Sequence, residues 1–407
     1  MNKQGMVFGF GSFSPSAAAV ALALCLGACA SGPPKSALEA LGRVPDGSIA
    51  VPILVATTRE KAAEPPGLMF SGDRARDLNY ADITISMPPN HQTGQLEIGS
   101  DPRKSIAVVS RDYLEKRAFL AKVRTELAKR KPSDRDVLIF IHGYNTRFDE
   151  AIFRFAQIIY DAKFKGVPIL FTWPSRGELL AYPYDRESAI YSRDDLEQTL
   201  IMLARESGAQ QIDLLAHSMG NMLTMEVLRQ AKIRGNPTFN GKLGYVMLAA
   251  PDVDIDVFRR QLLTFGRFPK PVTIFTSNDD KALNISKFVW QSEDRAGSFQ
   301  VTDPAMTAKL SALNITIIDL SDVKTSDSLN HAKFAASPEI VQMIGNRLAT
   351  DSIPTRGASF GDKMGMFAGA VGKTVGTAAG LAVELPVGVV SGVASGVSEA
   401  AAATQPR

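Results

Sequence analysis

Short, mostly apolar segments recur along this chain, and they constrain its fold more than any other feature. Val137-Leu138-Ile139-Phe140-Ile141 is the clearest, five aliphatic or aromatic residues with no alternation. A strand with one wet face alternates apolar and polar side chains, so an unbroken run belongs to a strand covered on both faces. Further strands are expected at residues 167–172, 211–216, 245–250, 272–276 and 315–320, separated by segments of helical periodicity at 148–165, 187–207, 219–233, 255–263 and 338–348. An amphipathic helix is expected before the series, at 113–130, and leading strands at 51–57 and 81–87, the second ended by Pro88-Pro89. Strand–helix alternation of this kind predicts an α/β fold, a mostly parallel central sheet with helices on both faces. Residues 292–304 carry the weakest pattern.

Composition narrows the chemistry. With 407 residues, 45% hydrophobic and 21% charged, the chain has the makeup of a globular protein. Lys+Arg total 45 against 42 Asp+Glu, net +3, which supplies no basic field for nucleic acid, so no nucleic-acid partner is expected. The two cysteines, Cys25 and Cys29, both lie in the first thirty residues. The rest of the chain therefore holds no thiol for disulfides, Cys–Zn sites, iron–sulfur clusters or a cysteine nucleophile. No metal cluster or dinucleotide fingerprint is legible, and Gly372-Lys373-Thr374 lacks the earlier glycine of a phosphate loop, Phe367 standing there. No metal and no cofactor is expected.

The two ends read differently from the middle. Residues 1–28 resemble an export signal, with Lys3 followed by an apolar run from Ala17 to Leu24 that is too short to span a bilayer. The run ends in Leu26-Gly27-Ala28-Cys29, which resembles a bacterial lipobox, where the chain is cut before the cysteine and that cysteine is acylated. The expectation is a lipid on Cys29, a lipid-anchored linker over 29–48 and, with Ala30 next, an outer-membrane lipoprotein facing the periplasm or the surface. Loss of 1–28 removes Lys3 and no acid, so the charge falls from +3 to +2. Residues 49–350 then form one catalytic domain. Residues 351–407 form a Gly/Ala-rich tail with glycines four apart, such as Gly361, Gly365 and Gly369. That spacing suits either a flexible tail or a membrane-contacting helix pair interrupted by Asp362, Lys373, Glu384 and Pro386.

The chemistry sits at strand ends. The strand at 211–216 runs into Ala216-His217-Ser218-Met219-Gly220 and then a helix, a small-x-Ser-x-small nucleophile elbow in the required context. Small residues allow the sharp turn, and Ser218 is expected at the carboxyl edge of the sheet beside a helix N-terminus. A serine needs a base. Of the four histidines, His217 lies in the elbow, its side chain expected to leave the serine, His142 lies in a strand-end His-Gly pair, and His91 precedes the core. His331 follows the last strand and is the expected base. The acid should follow the strand at 272–276, where Asp279 and Asp280 are adjacent; Asp280 is favoured, Asp279 is the alternative, and Asp252 or Asp254 offers a further position. Oxyanion donors are expected at the Met219 amide and, past Gly143, the Tyr144 amide.

These residues, with Phe140-Ile141-His142-Gly143-Tyr144-Asn145, Trp173-Pro174-Ser175-Arg176-Gly177, Tyr184-Asp185-Arg186-Glu187-Ser188-Ala189, Asn221 after the elbow and Asp280-Lys281-Ala282-Leu283, resemble a bacterial esterase/lipase-like family of α/β-hydrolases whose substrates are mostly unassigned. The likeness covers roughly residues 50–350, and its Trp-Pro-Ser-Arg-Gly block is more specific than the elbow. It implies the α/β-hydrolase fold and a triad carried here by Ser218, Asp280 and His331. It also implies a serine esterase acting through an acyl-enzyme on a small-molecule or lipid ester. Acyl transfer by the same triad and a non-catalytic envelope scaffold are the alternatives. The family commonly has glycine before its histidine, where this chain has Asn330.

Overall fold

The apolar runs pair into one sheet. In the computed structural model, which describes residues 38–63, 68–283, 296–298, 304–325 and 329–350, nine strands form a single sheet. They are β1 (Ile49–Lys61), β2 (Phe70–Met87), β3 (Ala107–Leu114), β4 (Val137–Ile141), β5 (Val167–Thr172), β6 (Ile212–His217), β7 (Leu243–Ala249), β8 (Val272–Thr276) and β9 (Ile315–Asp319), in the order β3-β2-β1-β5-β4-β6-β7-β8-β9. The first three strands pair antiparallel, and β1 joins β5 in parallel, as do all later pairs. Every residue of β4, β5, β7 and β8 is buried, so both faces of the sheet are covered.

The helices are α1 (Lys116–Ala128), α2 (Phe148–Asp161), α3 (Tyr182–Tyr191), α4 (Arg193–Glu206), α5 (Met219–Ile233), α6 (Ile255–Phe265), α7 (Pro304–Ala312), α8 (Lys333–Ala336) and α9 (Pro338–Thr350). α1 buries Phe119, Leu120, Val123 and Leu127, one stripe at helical spacing, each worth about 1.5–3 kcal/mol of transfer free energy.

Three expectations are corrected. The helix expected over 113–130 begins only at Lys116, because 107–114 is an edge strand paired with β2. Only Val108 and Val109 of that strand are buried, too short an apolar signal to read. Strand β2 reaches back to Phe70 through the polar Asp73-Arg74-Ala75-Arg76-Asp77, held by pairing with β1 rather than by burial. The helix expected at 187–207 is two helices. Ser192, at φ −82° and ψ 0°, breaks it, its hydroxyl bonded to the Ser188 carbonyl (2.8 Å) and to the Thr58 hydroxyl (2.7 Å). No helix among the described residues is long and apolar enough to cross a membrane. The expectations for 1–28, Cys29 and 351–407 lie outside the described residues.

Candidate active site

β6 ends at His217 and α5 begins at Met219, leaving Ser218 to turn the chain at φ 53°, ψ −122°. A non-glycine residue there costs about 1–3 kcal/mol and persists only where its surroundings dictate it. Here the Ser218 N–H donates to the Ala249 carbonyl (2.9 Å), and its own carbonyl accepts from the Asn221 N–H (3.0 Å), the Asn221 Nδ2 (3.0 Å) and the Asp252 N–H (3.2 Å). The small residues have a measurable reason. A Cβ on Gly220 would stand 2.5 Å from the His142 carbonyl oxygen and 2.7 Å from that of Ile141. A Cβ on Gly143 would stand 2.8 Å from the Ser218 Cβ. The loop leaving β4 therefore closes directly on the serine. Neither the Tyr144 nor the Met219 amide finds a hydrogen-bond acceptor among the described residues, and Met219 is the first residue of α5.

His331 lies beside the elbow. Its Nδ1 is 2.7 Å from the Oδ2 of Asp280, a fully buried residue whose Oδ1 accepts the Leu283 N–H (3.0 Å). Asp279 turns the other way: Lys333 Nζ donates to its Oδ1 (2.7 Å) and Oδ2 (2.9 Å), and Asn330 Nδ2 donates to Oδ2 (3.1 Å). Burial pushes the Asp279 carboxyl up, but the Lys333 and Ser277 hydrogen bonds outweigh it and hold the group below its ordinary range. Asp254 caps α6, accepting from the Asp256 (3.0 Å) and Val257 (3.1 Å) amides, while Asp252 accepts from the Tyr182 hydroxyl (3.1 Å). Asn330 sits at φ 58°, the left-handed region that glycine occupies freely and asparagine tolerates.

The His217 side chain, expected to point away from the serine, packs on the candidate base. Its ring lies 4.7 Å from the His331 ring and 4.7 Å from Phe334, and its Nε2 bonds the His331 carbonyl (3.2 Å). That carbonyl can only accept, so Nε2 carries the proton. Burial, with the neighbouring His331, holds the His217 pKa well below the ordinary value, so the ring is neutral.

Sequence reasoning missed what stands behind the Gly143 loop. His142 is buried and stacked on Trp173 (4.8 Å between centroids, 15°), and the Trp173 indole N–H donates to the His142 carbonyl (3.0 Å). Desolvation, then the nearby Arg59 charge, lowers the His142 pKa to about 3. The buried Asp185 carboxylate accepts from Ser175 Oγ (2.5 Å), the Arg176 N–H (3.0 Å) and the Asn145 N–H (3.1 Å), tying the loops after β4 and β5 together. Burial raises its pKa against those bonds. The specific sequence blocks at 140–145, 173–177 and 184–189 are thus one hydrogen-bonded unit; Arg59, in the same unit, carried no readable signal. His91 is remote, bridging Glu97 (2.7 Å) and Asp161 (2.8 Å). No group of three potential metal ligands occurs among the described residues.

A strained serine between a parallel strand and a helix, with a histidine–aspartate pair after the last two strands, places the protein in the class of α/β hydrolases. Residues 116–347, more than half of the chain, match the family model described as "Alpha/beta hydrolase of unknown function (DUF900)", and the chain belongs to that family. No curated protein matches it. Among solved structures it is similar to a Pyrobaculum calidifontis esterase (12% identity, 67% of this chain and 82% of that one, TM-score 0.34). It is also similar to a Rhizomucor miehei esterase (13%, 83% and 90%, TM-score 0.35) and to carboxyl esterase 2 of Tuber melanosporum (11%, 81% and 97%, TM-score 0.36).

Proposed function

We propose that this hydrolase cleaves carboxylic esters through an acyl-enzyme on Ser218. The observation that carries the reading is the 2.7 Å pairing of His331 Nδ1 with a fully buried Asp280, next to a serine held in the elbow conformation. Asp280 fixes the imidazole with its proton on Nδ1, leaving Nε2 to accept the Ser218 proton. Ser218 Oγ attacks the ester carbonyl, and the oxyanion receives the Met219 and Tyr144 amides. The C–O bond breaks and the alcohol leaves with the proton from His331. Water, deprotonated by His331, then attacks the acyl group; the carboxylic acid departs and Ser218 recovers its proton. No cofactor enters these steps. In this reading a lipid on Cys29 tethers the enzyme to the bacterial envelope, at the outer membrane.

The test is hydrolysis of p-nitrophenyl esters across acyl-chain lengths by the full-length protein, with Ser218→Ala as control. Turnover at one or more chain lengths, abolished in Ser218→Ala, is expected; turnover equal in both proteins would refute the reading. An added alcohol or amine separates hydrolysis from acyl transfer by the products formed.

A further inference from the structure

Arg59 is the least expected residue near the candidate site. It sits near the end of β1, outside the family-matched residues 116–347, and is only 1% exposed. Its guanidinium makes five contacts, matching its five N–H groups. Nε donates to Thr172 Oγ1 (2.8 Å), Nη1 to the Ser71 (3.0 Å) and Ser175 (2.8 Å) carbonyls, and Nη2 to the Thr146 carbonyl (2.8 Å) and His142 Nε2 (3.4 Å). None of the five acceptors is a carboxylate. A buried charge spread over neutral acceptors on strands β2 and β5 and on the loops after β4 and β5 is costly unless the arrangement it imposes is needed.

What it imposes follows from donor and acceptor rules. His142 Nε2 faces Arg59 Nη2 (3.4 Å), the Trp173 N–H (3.2 Å) and the Thr172 hydroxyl (2.9 Å); the first two cannot accept a hydrogen bond, and the hydroxyl can donate one. Nε2 must therefore present its lone pair, and the ring proton sits on Nδ1, 2.8 Å from the Gly143 carbonyl oxygen, to which it donates. That carbonyl belongs to the same peptide unit as the Tyr144 N–H, and in a trans peptide the two point in opposite directions. Holding the Gly143 carbonyl on His142 aims the Tyr144 amide away from the ring. A second guanidinium bond, to the Thr146 carbonyl, fixes the loop two residues on.

We infer that Arg59 is a positioning residue for the oxyanion site: through its bonds to His142 Nε2 and the Thr146 carbonyl it holds the loop that orients the Tyr144 amide, so the N-terminal strand is part of the catalytic apparatus. This rests on the serine-hydrolase reading. Arg59 touches no reacting atom. Its value lies in a planar array of five donors, which the three donors of a lysine ammonium cannot reproduce. Burial lowers its pKa only to about 10, so it remains a cation at neutral pH.

The test uses full-length protein and p-nitrophenyl butyrate. Arg59→Met and Arg59→Lys should each lower kcat about 10²-fold, the loss typical of one oxyanion donor, with KM changed less than about threefold. Millimolar guanidinium should restore part of the kcat of Arg59→Ala. A long-range ¹H–¹⁵N spectrum of ¹⁵N-histidine protein at pH 7 should show His142 protonated at Nδ1 in the wild type. A folded Arg59→Met or Arg59→Lys enzyme with kcat within twofold of wild type would overturn the inference. So would a wild-type His142 protonated at Nε2, a measurement that needs no variant to fold. Wild-type protein that neither hydrolyses the ester nor reacts with a fluorophosphonate would defeat the serine-hydrolase reading instead, a failure distinct from either of these.

Discussion

Asp279 and Asp280 are adjacent and separated in role only by where their oxygens go, so replacing each by asparagine should give opposite phenotypes. In Asp280→Asn the side-chain oxygen can keep the Leu283 N–H, which puts the amide NH₂ against His331 Nδ1, now 2.7 Å from a carboxylate oxygen. Two donors cannot face each other, so the imidazole moves its proton to Nε2, the atom that must receive the Ser218 proton. Loss of the correct tautomer in a serine triad costs about 10⁴ in kcat, about 5.5 kcal/mol at 1.36 kcal/mol per decade. Asp279→Asn leaves that pair intact and instead deprives Lys333, 2% exposed, of its anion. Breaking a buried ion pair costs about 3–5 kcal/mol, but the Asp279 side chain is 41% exposed and Lys333 keeps the Leu320 (2.9 Å) and Ser321 (3.0 Å) carbonyls. Solvent screening then leaves about 1–3 kcal/mol. The assay is kcat on a p-nitrophenyl ester beside Tm by calorimetry. Asp280→Asn should fold and turn over about 10⁴-fold more slowly, while Asp279→Asn should melt several degrees lower with kcat within a few-fold of wild type. A near-inactive Asp279→Asn beside a near-normal Asp280→Asn would refute the assignment.

Other outcomes follow from single distances and angles. Gly143→Ala places a Cβ 2.8 Å from the Ser218 Cβ and 3.0 Å from His217 Nδ1, so the loop must shift and the Tyr144 amide with it. A fall of about 10²–10³ in kcat is expected, and unchanged kcat would contradict the account of the loop. Burial pushes the His91 pKa down, but the hydrogen bonds its ring donates to Asp161 and Glu97 outweigh it and leave the value raised. The stabilisation is therefore fully present below its unfolded pKa of about 6.5 and is lost as pH rises through the higher folded value. Wild-type Tm should fall on passing from about pH 6 to pH 9 more steeply than that of His91→Gln. Equal slopes in the two proteins would count against the clamp. At φ 58°, Asn330→Gly should keep the turn and activity, whereas Asn330→Val should cost about 1–2 kcal/mol in chemical denaturation.

The parallel half of the sheet was legible because strands such as 137–141 and 272–276 are buried on both faces and are mostly apolar, the first without a polar residue. The antiparallel edge was not. Strands 70–87 and 107–114 are half-wet, and what holds them is backbone pairing rather than a run of apolar side chains. Ser192 was unreadable as a helix break, since serine fits a helix surface as well as a cap. At the site, Ser218 and His331 could be named from chain order and elimination. Between Asp279 and Asp280 the sequence favoured Asp280 but left Asp279 open, because the split depends on Lys333 and Asn330 drawing one carboxylate aside. Arg59 was invisible for a similar reason: its acceptors are three carbonyls, one hydroxyl and an imidazole nitrogen scattered from Ser71 to Ser175, which leave no spacing to read.

The central claim is that Ser218 is an activated nucleophile, and covalent labelling tests it most directly. Folded full-length protein treated with a fluorophosphonate and analysed by intact mass and peptide mapping should carry one adduct, on Ser218. The adduct should be absent from Ser218→Ala and form far more slowly in His331→Ala. No adduct on the folded protein, or the same adduct on Ser218→Ala, would contradict the account.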